Sequence, residues 1–236
     1  PLSEKLAYCF GDPALTLIYT ITTTLLTYFY TNVVGISVGA VGMILLLSRV
    51  FDGFSDVLMG TIIDRTHSKY GKARIWILRL ALPYAAAVLL FTMPPFGNTG
   101  KIIYAFLTYN LMNTVVYTAI SQPFHSLGSL MSRDRTERDT ICNIRMLLSI
   151  TASMIVTAFT LPLINKVADM THNPQIAWVI VTAAYALCSV FILLNTYTTC
   201  TERVKSDEVQ KEDIPFKIAF KATITNKYFL IALGLM

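Results

Sequence analysis

Apolar residues come in long runs parted by short polar intervals, and six such runs can be marked along the chain. The first extends from about Pro13 to Val34, and the tight turn Gly35-Ile-Ser-Val-Gly39 leads into a second that reaches about Ile63. A third covers about Ile75 to Met93 and stops at Pro94-Pro-Phe-Gly-Asn98; a fourth covers about Ile102 to Leu130. The fifth runs from about Thr140 to Ile164 and turns through Asn165 to Pro174; the sixth runs from about Ile176 to Tyr197. Each approaches the about 20 residues that a helix needs to cross the hydrocarbon core of a bilayer. The pattern predicts an all-α, polytopic membrane protein.

Two of the runs are less apolar than lipid-facing helices need be. Thr16, Tyr19, Thr20 and Thr23 recur at helical spacing and put a hydroxyl-rich face on the first. Asn110, Asn113, Tyr117 and Ser121 form a similar stripe on the fourth, with Thr118, Gln122 and His125 beside it. Such a stripe is costly against lipid and cheap against a water-filled cavity, where hydroxyls, amides and rings suit a polyhydroxylated ligand such as a sugar. The competing reading is hydrogen bonding between helices.

The polar intervals set the sidedness. With six spans, the N-terminal tail, residues 64–74, residues 132–139 and residues 201–227 share one side and carry most of the lysines and arginines. The opposite side carries only Lys101 and Lys166 in its intervals. The positive-inside rule puts the first set, including the N-terminus, in the cytoplasm of a cell (inner) membrane protein. Within residues 201–227, Glu202 to Asp213 is a mixed-charge linker. Pro215-Phe-Lys-Ile-Ala-Phe-Lys-Ala222 has the spacing of an amphipathic helix at the membrane surface, or of a plain tether. Residues 228–236 turn apolar again, and no Met opens the chain, so it reads as part of a longer protein.

Composition agrees with this outline. A hydrophobic fraction of 54%, only 14% charged residues and a mean hydropathy of +0.57 exceed what soluble domains carry. The net charge of +5 arises between apolar runs rather than on one surface, so lipid and not nucleic acid is the expected neighbour. Cys9, Cys142, Cys188 and Cys200 are scattered and form no CxxC pair, which argues against a disulfide framework or a zinc site. The N-terminus has no signal-peptide pattern. His67, His125 and His172 do not cluster, and no phosphate loop, nucleotide fingerprint, HExxH or GxSxG occurs. No catalytic residue, enzymatic activity or organic cofactor is expected.

Charge inside an apolar run is expensive and calls for a partner or a task. Arg49, Asp52 and Asp56 are spaced i, i+3, i+7 and stack on one face of the second helix, with Ser55 close by. Two acids against one arginine leave an uncompensated negative charge, which a proton or an alkali cation could balance. The alternative is a buried triad that locks helix packing. Arg145 lies inside the fifth run and either snorkels to the interface or points inward at substrate or a carboxylate. Gly11-Asp12-Pro13 reads as an N-cap followed by a first-turn proline.

The stretch Gly60-Thr-Ile-Ile-Asp-Arg-Thr-His-Ser-Lys-Tyr-Gly-Lys-Ala-Arg74 resembles the motif between helices 2 and 3 of major facilitator superfamily transporters. Joined to Asp52-x-x-x-Asp56-x-x-x-Gly60 it is similar to the glycoside–pentoside–hexuronide:cation symporters, the melibiose permease family. Tyr8-Cys-Phe-Gly-Asp12, Phe29-Tyr-Thr-Asn-Val-Val-Gly35, Gln122-Pro-Phe-His-Ser-Leu127, Arg135-Thr-Glu-Arg138 and Arg145 extend the likeness over about residues 5–228. The resemblance implies an N-terminal six-helix bundle (1–200) of a twelve-helix transporter, a cytoplasmic middle linker (201–227) and the start of a seventh helix (228–236). The missing C-terminal six-helix bundle would be its partner.

For function the resemblance implies symport of a sugar or glycoside, coupled to Na+, Li+ or H+, by alternating access. Asp52, Ser55, Asp56 and Thr118 match the family's cation site, with Ser55 where melibiose permease has an asparagine. No metal site beyond that alkali cation is implied. Substrate contacts would come from Thr16, Tyr19, Tyr117, Ser121, His125 and Arg145. Thr16 and Ser121 stand where melibiose permease has aspartates and His125 where it has a tryptophan, whereas Tyr117 and Arg145 are kept. Galactoside recognition is therefore not carried over; a different glycoside or pentoside, one with an acidic group facing Arg145 included, fits the kept residues. Arg49, Gly60, Asp64, Arg65, Gly71, Lys72, Arg74 and Arg138 are the expected gating and structural set. An uncoupled facilitator or exporter of the same fold, and a membrane sensor or assembly subunit built on it, are the alternatives.

Overall fold

The structure, a computed structural model, describes residues 2–66, 68, 71–132 and 134–202, without the side chains of Leu2 and Asp64. The chain divides into two units, Pro1–Val204 and Lys205–Met236, and the described residues belong to the first. His67, Lys69 and, beyond Glu202, the expected linker, its amphipathic helix and the seventh-helix start lie outside the described residues.

Six helical stretches follow one another, with no strand among the described residues. The first, α1, is an α-helix over Leu2–Thr20 that continues through wide π-helical turns at Ile21–Leu25 and Phe29–Val33, with Leu26–Tyr28 between them. It starts well before the expected Pro13. Tyr8 and Cys9 are buried in the core, so the segment ahead of Pro13 has an apolar face to pack, and the missing proline donor does not stop the helix. Asp12 accordingly caps nothing, and the N-cap reading of it is corrected: it lies inside α1.

Ser37 caps α2 (Val38–Asp64), accepting from the Ala40 amide at 3.4 Å. Next come α3, Arg74–Ala85, which tightens into a 3-10 turn over Ala86–Phe91, and α4. The latter is α-helical over Asn98–Tyr109 and Thr118–Met131 and π-helical between them, Asn110–Tyr117. Asp134 caps α5 (Arg135–Thr171) through the Thr136 amide at 3.0 Å. The charged residues after Asp134 thereby join the helix instead of forming the expected loop. Asn173 caps α6 (Pro174–Thr199), with Pro174 in its first turn.

The helices α2, α3 with its 3-10 extension, α5 and α6 are each long and apolar enough to cross a membrane, which marks a multi-pass membrane protein. The other two predicted spans, α1 and α4, are the helices with polar faces and π-helical turns. A π turn holds an extra residue and shifts the faces that follow it, a feature that recurs at functional sites.

Packing explains the order. The rings of Phe29, Phe91 and Trp178 join α1, α3 and α6, with Phe91 and Trp178 stacked at 5.4 Å. Buried hydroxyls stitch α1 to its neighbours: Ser189 donates to the Ala14 carbonyl at 2.7 Å and Tyr84 to that of Leu15 at 2.7 Å. Small residues let α1 and α4 approach closely. A Cβ on Gly11 would come within 2.5 Å of the Phe124 ring, and one on Gly128 would collide with the Tyr8 ring. Tyr8 and Phe124 stack at 4.9 Å between those glycines.

Candidate functional site

Two strips of polar side chains face each other across α2 and α4. Asn110 donates to the Ser48 hydroxyl at 2.9 Å, so it serves as the interhelical bond that the alternative reading foresaw. One turn further on, Thr114 donates to Asp52 Oδ1 at 2.5 Å, and Ser55 donates to the Thr114 carbonyl at 2.5 Å. Gln122 donates from Nε2 to Asp56 Oδ1 at 3.1 Å. Between Thr114 and Gln122, α4 contributes Tyr117, Thr118 and Ser121, and these turn into a cavity.

That cavity, about 190 Å³, is walled by Asp52, Asp56 and Arg49 from α2, by Tyr117, Thr118, Ser121, Tyr109 and Asn113 from α4, and by Tyr19 and Thr23 from α1. Tyr19 and Tyr117 stack with ring centres 4.5 Å apart. Three of the four expected cation residues and three of the six expected substrate residues therefore share one wall. Ser55 lies behind it, on the Thr114 carbonyl. Arg49 is largely exposed and reaches Asp52 at 3.9 Å; no ion pair joins it to Asp56 among the described residues. The triad foreseen as a packing lock is thus a single loose pair, and Asp56 is held by an amide instead.

The remaining substrate candidates form a second cluster between α1, α4 and α5. Arg145 does not snorkel. Its Nη1 lies 3.2 Å from Asp12 Oδ1 and 2.6 Å from His125 Nδ1. A guanidinium can only donate, so the His125 Nδ1 accepts and the imidazole carries its proton on Nε2. Thr16 meets Ser149 at 2.5 Å rather than the cavity, and Thr20 donates to Ser153 at 3.1 Å.

Six of the eight expected gating and structural residues, Gly60, Asp64, Arg65, Gly71, Lys72 and Arg74, lie at the end of α2 and the start of α3. Gly71 has φ +106° and brings three successive amides, of Lys72, Ala73 and Arg74, onto the Glu202 carboxylate at 2.8, 2.9 and 2.9 Å. An anion at a helix N-terminus satisfies orphan donors and complements the helix dipole. Arg74 donates to the Tyr197 carbonyl at 2.6 Å and lies over that ring. Gly60 faces Gln122 with room to spare, a Cβ there coming no nearer than 3.9 Å. Arg65 caps the C-terminus of α2, and Arg138 is half-buried in the first turn of α5. Nearby, Glu4 accepts from the Thr201 amide at 2.8 Å, and burial pushes the Cys200 thiol up to about 12, helped by the charge of Glu4.

Arg145 does point inward at a carboxylate, one of its two expected readings, but Asp12 as that carboxylate, Thr114 and Glu202 were not foreseen. Thr114 lies one turn before Thr118, so its face was visible in the pattern. Glu202 sits in a charged linker, and nothing local marks it as a cap for a helix far earlier in the chain. Among the described residues, no group of three or more His, Cys, Asp or Glu side chains could hold a metal ion.

The model of the MFS/sugar transport protein family matches residues 7–236. The chain is 34% identical over 238 residues to the uncharacterized symporter YnaJ of Bacillus subtilis, covering 98% of the chain and 51% of that protein. It is 31% identical to an isoprimeverose transporter of Lactiplantibacillus pentosus, over 99% of the chain and 48% of the relative. Identity to the putative glycoside/cation symporter YagG of Escherichia coli is 34%, over 86% and 44%. The chain spans about half the length of the curated relatives it matches.

Proposed function

The chain belongs to the MFS/sugar transport protein family, and we propose that it is the N-terminal bundle of a cation-coupled sugar or glycoside symporter. The observation that carries this reading is the shared cavity: Asp52, Asp56 and Thr118 open onto the same space as the stacked Tyr19–Tyr117 pair and Ser121. At about 190 Å³ the cavity is smaller than the roughly 300–1,000 Å³ of a complete ligand pocket. The absent half of the transporter supplies the other wall.

The chemistry follows from the charges. Asp52 and Asp56 outnumber Arg49, which touches only one of them, so the cavity wall carries more acid than base. An unbalanced charge at the centre of a membrane costs about 2.5–3.5 kcal/mol on insertion scales. A sodium, lithium or hydrogen ion between the carboxylates removes that cost. Hard carboxylate and hydroxyl oxygens from Asp52, Asp56 and Thr118, with Ser55 bracing the Thr114 backbone, suit such an ion. Loaded and empty carriers then differ in how readily they swing, and this difference couples cation to cargo by alternating access. No covalent bond is made or broken, so the protein acts as a carrier rather than an enzyme. The basic ends of its helices face the cytoplasm of the cell membrane under this reading, and the Glu202–α3 contact latches that end.

The test is uptake of a labelled glycoside panel by the full-length protein in vesicles, with and without a sodium gradient, and again for Asp52→Asn and Asp56→Asn. Cation-driven accumulation lost in both variants supports the symporter. Accumulation that ignores the gradient in the wild type points to a facilitator or exporter, and no sugar flux at all points to a sensor or assembly subunit.

A further inference from the structure

Three arginines lie within the apolar runs, Arg49, Arg79 and Arg145. Arg49 meets Asp52 and Arg145 meets Asp12. Arg79 has no such answer. It stands exposed in α3, which with its 3-10 extension is long and apolar enough to cross a membrane. Among the described residues no carboxylate, carbonyl or amide reaches it; its neighbour is the Trp76 ring, whose centre lies 5.9 Å from the guanidinium carbon. An aromatic face is a weak partner for a full charge in a membrane span.

The surroundings of Arg79 favour a partner from outside the chain. Five residues separate it from Arg74, the first residue of α3, which is about 7.5 Å of helix. From that depth an arginine side chain reaches the phosphate level of a bilayer. Trp76 is held in place: its Nε1 donates to the Thr66 hydroxyl at 3.1 Å, and its ring packs with Leu80 against Met59, Ile63 and Ala119. Tryptophan is enriched at that same interfacial level. One turn deeper than Arg79, Leu82 is 72% exposed, and Leu78 and Leu89 are exposed beside it, so an apolar track runs down from the guanidinium.

The inner side of α3 is engaged elsewhere. Tyr84 donates to the Leu15 carbonyl of α1, Phe91 stacks on Trp178 of α6, and Arg74 turns to the Tyr197 carbonyl. The helix lends no residue to the cavity, so the wall left to complete belongs to α1, α2 and α4. A soluble anion would satisfy the guanidinium and leave the leucines uncovered, whereas a phospholipid covers both. The polar interval ahead of α3 is basic, which favours a headgroup of net negative charge.

We propose that Arg79, Trp76 and the leucines beneath them form a binding site for an anionic phospholipid. The phosphate lies on the guanidinium fork, the glycerol region against the indole, and an acyl chain along Leu82 and Leu89. The site requires only that α3 cross a membrane, and so stands apart from the sugar-transport reading.

The test gives lipid-depleted full-length protein in detergent equal amounts of phosphatidylglycerol and phosphatidylcholine and counts bound lipid by native mass spectrometry. Arg79→Gln should lower the preference for phosphatidylglycerol about fivefold, the scale of one basic residue at a membrane surface, and Arg79→Lys should keep part of it. Phosphatidylglycerol with a photoactivatable acyl chain should label the peptide holding Leu82 in the wild type and lose that label in Arg79→Gln. Glycerol 3-phosphate, the headgroup chemistry without chains, should not compete at equal concentration; if it does, the site takes a soluble phosphate and the lipid proposal falls. A folded Arg79→Gln protein with unchanged preference and label overturns the site, as does equal labelling by the phosphatidylcholine probe. A dimer that Arg79→Gln dissolves assigns the face to a second copy instead. Should Arg79→Gln fail to fold, Arg79→Lys and the wild-type labelling decide.

Discussion

Asp12 and Arg145 meet at 3.2 Å across a sequence offset that recurs, 133 positions, in the contacts of Thr16 with Ser149 and of Thr20 with Ser153. A constant difference between partners means that α1 and α5 run parallel in one fixed register. The polar face of α1 is thereby divided: its 12–16–20 edge is spent on α5, and its Tyr19–Thr23 edge faces the cavity.

The register makes the Asp12–Arg145 pair a unit. Asp12→Asn or Arg145→Gln alone leaves one charge without its partner and should lower stability by about 3 kcal/mol. The double variant should recover part of that loss, with a coupling of roughly 0.5–3 kcal/mol. Thermal melts of the detergent-solubilised full-length protein check this; additive losses would mean that the two charges do not interact.

Thr114 should tune the cation site without being its ligand. It donates to Asp52 at 2.5 Å, and Thr114→Val keeps the shape while leaving that carboxylate short of a donor. Losing a hydrogen bond to a charged group costs about 1.5–3 kcal/mol, so the sodium dependence of uptake should shift by roughly tenfold or more. An unchanged sodium titration would detach Asp52 from coupling.

At the start of α3, Glu202→Ala removes a carboxylate from three backbone amides and should cost about 1–2 kcal/mol. Gly71→Ala should cost more than Glu202→Ala, since φ is +106° and the added Cβ would lie 2.5 Å from the Glu202 carboxylate. Melting temperatures of the two variants, ranked against wild type, check the order.

Cys200 should resist thiol reagents. Burial holds its thiol near 12, so raising the pH from neutral to about 9 produces almost no thiolate in the folded protein, whereas an ordinary thiol at about 8.5 would be mostly ionised. Maleimide labelling followed by mass spectrometry should find Cys200 modified only as the protein unfolds; rapid labelling of the native protein at pH 8 would contradict its burial.

Much of this was open to inspection in the linear pattern. Six apolar runs, the polar faces of α1 and α4, and the shared face of Asp52 and Asp56 follow from hydropathy and helical period, which are local properties. The errors were local too. Pro13 looked like a first-turn residue because a proline usually ends or starts a helix, yet the burial of Tyr8 and Cys9 carries α1 back to Leu2. Thr16 looked like a cavity residue because period alone cannot say which neighbour a polar face meets.

By itself the sequence determined that the chain runs through six helical stretches, which of their faces are polar, and that the second helix holds more acid than base. Only the tertiary structure decided which polar groups meet: Thr114 with Asp52, Gln122 with Asp56, Arg145 with Asp12, and Glu202 with the first amides of α3. Helical periodicity orients each face about its own axis. Which faces come together, and at what register, depends on how closely the glycines and rings let the helices pack, and that is settled by contacts between residues far apart in the chain.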